Sequence, residues 1–94
     1  MSFEELLFID NILLQRILSE CSLKEIALAL KGASPDMHKK LEQNLSKTAY
    51  TEYKNISHLL GSIPITEVES DQKKIITVYE QQKAEERERS KQKN

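Results

Sequence analysis

Apolar residues recur three and four positions apart through most of this chain, in short runs separated by Ser, Asp, Asn, Gly and Pro. That spacing predicts helices; half-buried strands would alternate with a period of two. Ser2-Phe3-Glu4-Glu5 has the form of a capping box and predicts a short helix over residues 3–8. Asp10 can cap a second helix over 11–20, on which Leu13, Leu14, Ile17, Leu18 and Cys21 share one face. Ser22-Leu23-Lys24-Glu25 is a second capping box. It opens a third helix, 23–31, that is apolar nearly all round and is expected to be the most buried element.

The run Ala27-Leu28-Ala29-Leu30-Lys31-Gly32-Ala33-Ser34 then encodes a sharp corner. Gly32 is expected to end the third helix in the left-handed conformation. Ser34 is expected to cap the next, with Pro35 at its first position. A fourth helix follows over 35–45, with Met37, Leu41 and Leu45 inward and Lys39, Lys40, Glu42 and Gln43 outward. Ser46 can cap a fifth helix over 47–60 that stops at Gly61. At 100° per residue, Ala49, Tyr53, Ile56 and Leu60 form its inner arc; Lys47, Thr51, Lys54 and His58 lie opposite. Ser62-Ile63-Pro64-Ile65 reads as an extended link, because Pro64 disfavours helical geometry at Ile63. Thr66-Glu67-Val68-Glu69 is a third capping box and predicts a sixth helix from residue 67, with Val68, Ile75, Ile76 and Tyr79 inward and Gln72 on the same side.

Beyond Tyr79 the apolar pattern stops. Residues 80–94 hold Ala84 alone among apolar types, while Lys83, Arg87, Arg89, Lys91 and Lys93 are interspersed with Glu85, Glu86 and Glu88. The expected organisation is therefore one helical domain over 1–79 and a charged helical extension over 80–94. The extension should bury almost nothing and fray toward its end.

Composition narrows the class to all-α. Two Gly and two Pro in 94 residues leave few turns for a sandwich or barrel, and no Trp is present. A net charge of -1 argues against nucleic-acid binding through a global positive field. Cys21 is the one cysteine, so no internal disulfide can form, and a reducing, cytoplasmic setting is expected. No apolar run approaches the roughly 20 residues of a membrane span.

Candidate chemistry is sparse. His38 and His58 stand 20 residues apart, neither in a ligand spacing with Cys or carboxylates, so no metal site or cofactor is expected. No phosphate-binding loop, dinucleotide fingerprint or nucleophile motif is present, which argues against an enzyme. Glu67, Glu69 and Asp71 are expected to favour the dipole at a helix start. Lys31 can stabilise a helix C-terminus or present charge beside the outer face of the fifth helix; both readings stay open.

Phe3-Glu4-Glu5-Leu6, Gln15-Arg16-Ile17-Leu18, the Ala27–Ser34 corner, Asn44-Leu45-Ser46-Lys47, Gly61, Val68-Glu69 and Gln72-Lys73-Lys74-Ile75 together resemble the C-terminal domain of the bacterial flagellar motor switch protein FliG, over residues 2–79. The resemblance does not extend to the armadillo-type domains that precede this one in the family. It implies a compact, all-α, six-helix domain with no catalytic activity. Such domains form a homo-oligomeric ring at the cytoplasmic face of the inner membrane, peripheral to it, where charged residues meet the stator's cytoplasmic loop and other switch proteins. The family's corner lysine is present as Lys31. Thr48 stands where the family has an Arg, Asn55 and Ile56 where it has paired acids, and Pro64 where it has a further Arg, so the charge array is largely missing. Lys31, Lys47, Glu52, Lys54 and Asn55 are the expected contact residues. Two functions follow: a rotor component that meets the stator through the fifth helix, or a divergent adaptor that acts in flagellar assembly or positioning without torque.

Overall fold

In the computed structural model, which describes residues 2–92 and the side chains of residues 2–89, six helical segments follow one another: η1 (Phe3–Phe8, a 3-10 helix), α1 (Asn11–Ser19), α2 (Leu23–Leu30), α3 (Pro35–Gln43), α4 (Lys47–Leu60) and α5 (Ile65–Gln92). The expectations for residues 93–94, including Lys93, lie outside the described residues. No strand occurs among the described residues.

Local hydrogen bonds set most of the helix starts. Asp10 accepts from the Leu13 amide at 2.9 Å, Ser34 from Met37 at 3.2 Å, and Ser46 from Ala49 at 3.1 Å. Each satisfies an amide that has no partner within its own helix. At Ser22 the box is reciprocal: the Glu25 amide donates to the Ser22 hydroxyl at 3.1 Å, and the Ser22 amide donates to the Glu25 carboxylate at 2.9 Å.

α2 is the centre of the molecule. Ile26, Ala27, Leu28, Ala29 and Leu30 are all buried, so α2 has no solvated face over its second half. It packs against both α4 and α5 more extensively than any other two segments pack together. Leu6, Leu14, Ile17, Met37, Leu41, Tyr53 and Ile75 close the core around it. The Gln72 amide donates to the Ala29 carbonyl at 2.9 Å and pins α5 across α2. On the opposite flank, the Lys40 ammonium of α3 donates to the Leu7 and Ile9 carbonyls at 2.7 and 2.6 Å, which holds the end of η1.

Several expectations are corrected. Gly32 is not left-handed; among the described residues Gly61 alone has a positive φ, +61°. Gly32 is required by packing instead: a Cβ there would lie 2.9 Å from Val68 Cγ1. Thr66 caps nothing, because α5 begins at Ile65 and its first amides, Glu67 and Val68, donate to the Pro64 carbonyl at 3.0 and 3.2 Å. Pro64 stands just before the first turn, where its lack of an N–H costs nothing. α3 stops at Gln43, two residues early, where the Asn44 side-chain amide donates back to the Lys40 carbonyl at 2.8 Å.

Two further corrections concern α5. Since the helix starts earlier, Asp71 falls in its second turn, away from the dipole end. It is 4% exposed, with its carboxylate 3.6 Å from Lys74. The same ammonium lies 3.8 Å from Glu25, so one lysine links the start of α2 to the second turn of α5. Farther along, Gln82 is buried and Glu86 comes within 4.0 Å of Arg16 on α1, so this stretch has more protein contact than the near-absence of burial expected of it.

Candidate functional site

The five residues expected to make contacts divide over two shallow depressions on one side of the molecule. Lys31 and Lys54 share the first with Ser57, His58, Gly61 and Ser62. Lys47, Glu52 and Asn55 share the second with Thr48 and Thr51. Both lie along α4, the fifth helical segment, whose exposed Lys47, Thr51, Lys54 and His58 form one stripe. Glu52 is the single acid of that helix, so the stripe is predominantly basic.

Lys31 has a structural role at a helix C-terminus. Its ammonium donates to the Ser57 carbonyl at 3.0 Å. Ser57 begins the last turn of α4, where carbonyls lack helical partners. The lysine that ends α2 therefore caps α4, while remaining exposed. Neutralising it would disturb packing as well as surface charge.

The positions where the resemblance leads one to expect charge behave differently from one another. Thr48, Asn55 and Pro64 are exposed, so only residue identity keeps them neutral. Ile56 is half-buried and packs on the core.

Sequence reasoning missed a neighbouring cluster built around Glu42. The Tyr53 hydroxyl donates to Glu42 Oε2 at 2.8 Å; Lys54 Nζ and His38 Nδ1 approach the same oxygen at 3.8 and 3.9 Å. Burial pushes the Tyr53 phenol above its ordinary range, and the accepting Glu42 carboxylate adds to the shift. Lys54 also sits 5.7 Å from the centre of the Tyr50 ring. The His38–Glu42 spacing of four on one helix was the available signal; the pairing with α4 needs the tertiary fold. Neither histidine gathers ligands, and among the described residues no group of three His, Cys, Asp or Glu side chains is placed to hold a metal ion.

The described residues thus form an all-α domain in which the basic stripe of α4 is braced by a lysine from the end of the central helix. No helix among the described residues is long and apolar enough to cross a membrane. The family model for the FliG C-terminal domain matches residues 1–87, and the chain belongs to that family. It is 37% identical over 76 residues to the flagellar motor switch protein FliG of Thermotoga maritima, covering 81% of this chain and 23% of that protein. To the Helicobacter pylori protein of the same name it is 30% identical over 79 residues, covering 84% and 23%. A crystal structure of FliG from H. pylori superposes with a TM-score of 0.85 at 28% identity, covering 90% of this chain and 40% of that one. The chain thus spans about a quarter of the length of these curated relatives.

Proposed function

We propose that this domain acts as a rotor component of a flagellar motor switch, and that the outer face of α4 is where it meets the stator's cytoplasmic loop or another motor protein. The single observation that carries the reading is the basic stripe of Lys47, Lys54 and His58 with Lys31 beside it, on a member of the FliG C-terminal domain family. The contact is electrostatic and made at exposed groups. It forms quickly, carries modest energy per pair and is screened by salt within about 8–10 Å.

The test is binding of the tethered stator loop from the same organism to the chain carrying Lys47→Gln and Lys54→Gln together. Lys31 is left intact because it caps α4. Affinity should fall about fivefold or more and should weaken as ionic strength rises above 0.15 M. Equal binding by the double variant, with unchanged salt dependence, removes α4 as the contact face.

A further inference from the structure

A groove of about 710 Å³ separates α3 from α4 on the side away from the Thr48 and Glu52 depression. Its apolar surface comes from Ala33, Pro35 and the ring of Tyr50, which is 36% exposed. Its charged rim is made of Lys39 and Lys54, with the His38 ring beside them. Glu42 is the one acid among the lining residues, and its carboxylate is turned to internal partners: the Tyr53 hydroxyl, Lys54 and His38. The Tyr50 ring is braced from behind by Tyr53, with centroids 6.1 Å apart and planes tilted by 48°. A fixed aromatic wall beside exposed cations offers one partner chemistry a complete set of contacts. An apolar side chain lies on Tyr50 and Pro35, and a neighbouring carboxylate reaches Lys39 and the outer side of Lys54.

We propose that this α3–α4 groove is a docking site for a short acidic peptide segment that carries an aromatic or branched apolar anchor. Charge complementarity favours that occupant: a basic segment would meet the like charges of Lys39 and Lys54, and an uncharged one would leave the rim unused. The site shares Lys54 with the contact proposed for the stator and is otherwise separate from it. Its remaining determinants, Lys39 and Tyr50, face the groove and are absent from both depressions of the α4 outer face.

The experiment is fluorescence anisotropy of a labelled ten-residue peptide of Glu, Asp and Ser with one central Phe, titrated with the 94-residue chain. Circular dichroism verifies the fold of each variant. Saturable binding is expected. It should weaken about tenfold when the peptide acids become Gln, and about fivefold or more in Lys39→Glu and separately in Tyr50→Ala. Lys47→Gln should leave it unchanged. Absence of saturable binding at millimolar protein overturns the proposal, as does equal binding of the Gln peptide. An equal loss in Lys47→Gln places the peptide on the α4 outer face and also overturns it, while leaving the stator reading intact. Stronger association with anionic phosphatidylserine vesicles than with the peptide, lost in the same variants, would make the groove a lipid site instead.

Discussion

A methyl group added at Gly32 would meet the side chain of buried Val68, whereas one added at Gly61 would meet open space. The two glycines therefore fail for opposite reasons when replaced. Gly32→Ala overpacks the α2–α5 contact and should cost about 1–3 kcal/mol. Gly61→Ala forces a Cβ onto a backbone with φ +61° and ψ −139° and should cost a similar 1–3 kcal/mol through strain. Urea unfolding measures both losses. Enlarging the space with Val68→Ala should rescue the first variant partly and the second not at all. Glu25 gives a pH signature. The Ser22 amide bonded to its carboxylate, with help from the Ser22 hydroxyl and Lys74, holds its pKa below the ordinary 4.5. The folded state thus gains stability that is complete above that pH and lost as acid protonates the folded carboxylate. Glu25→Gln should flatten the fall in unfolding midpoint between about pH 5 and pH 3. Cys21 is half-buried, donates from Sγ to the Ile17 carbonyl at 3.3 Å, and has its pKa pushed up to about 11 by burial with Glu25 and Glu20 nearby. Alkylation by iodoacetamide near neutral pH should be one to two orders of magnitude slower than in urea.

At the scale of elements, what could be read in the sequence was what is settled within four residues. Ser22, Ser34 and Ser46 cap their helices as their spacing predicts, because the bond from side chain to amide spans three residues and needs no other part of the chain. Periodicity likewise put Met37 and Leu41 of α3 and Tyr53, Ile56 and Leu60 of α4 on the inner side, although Leu45 falls beyond the end of α3 and Ala49 is not in the core. Thr66 had the same local signature and failed, because Pro64 just upstream already supplies a carbonyl to start the helix. Ser22→Ala should therefore lower stability by about 1 kcal/mol, while Thr66→Ala should change it by less than about 0.5 kcal/mol, both by chemical denaturation. The contacts that cross between elements were not legible. Lys31 reaching Ser57 and Tyr53 reaching Glu42 depend on how α2, α3 and α4 are placed. Lys31 and the outer face of α4 stood out from the local pattern, and the resemblance made them candidate contact residues. The splitting of that face into two depressions, and the groove behind it, came from the fold.

The molecule as a whole measures about 50 × 29 × 20 Å, and a 28-residue α5 of about 42 Å accounts for most of its long axis. Part of the charged stretch after Tyr79 belongs to the packed structure: Gln82 is buried and Glu86 faces Arg16. Ending the chain after Glu80 should cost about 1–2 kcal/mol, whereas ending it after Arg89 should cost little; the difference in melting temperature tests how much of 80–94 the domain uses. Lys39 and Lys40 are adjacent in sequence but differ in what holds them. Lys39 is exposed on the groove, while the Lys40 ammonium is held between two backbone carbonyls of the N-terminal segment. In an acylation footprint read by mass spectrometry, Lys39 should be modified at once and Lys40 only when η1 lifts from α3. The delay between two neighbouring lysines then times the detachment of the first segment, without any probe being introduced into the chain.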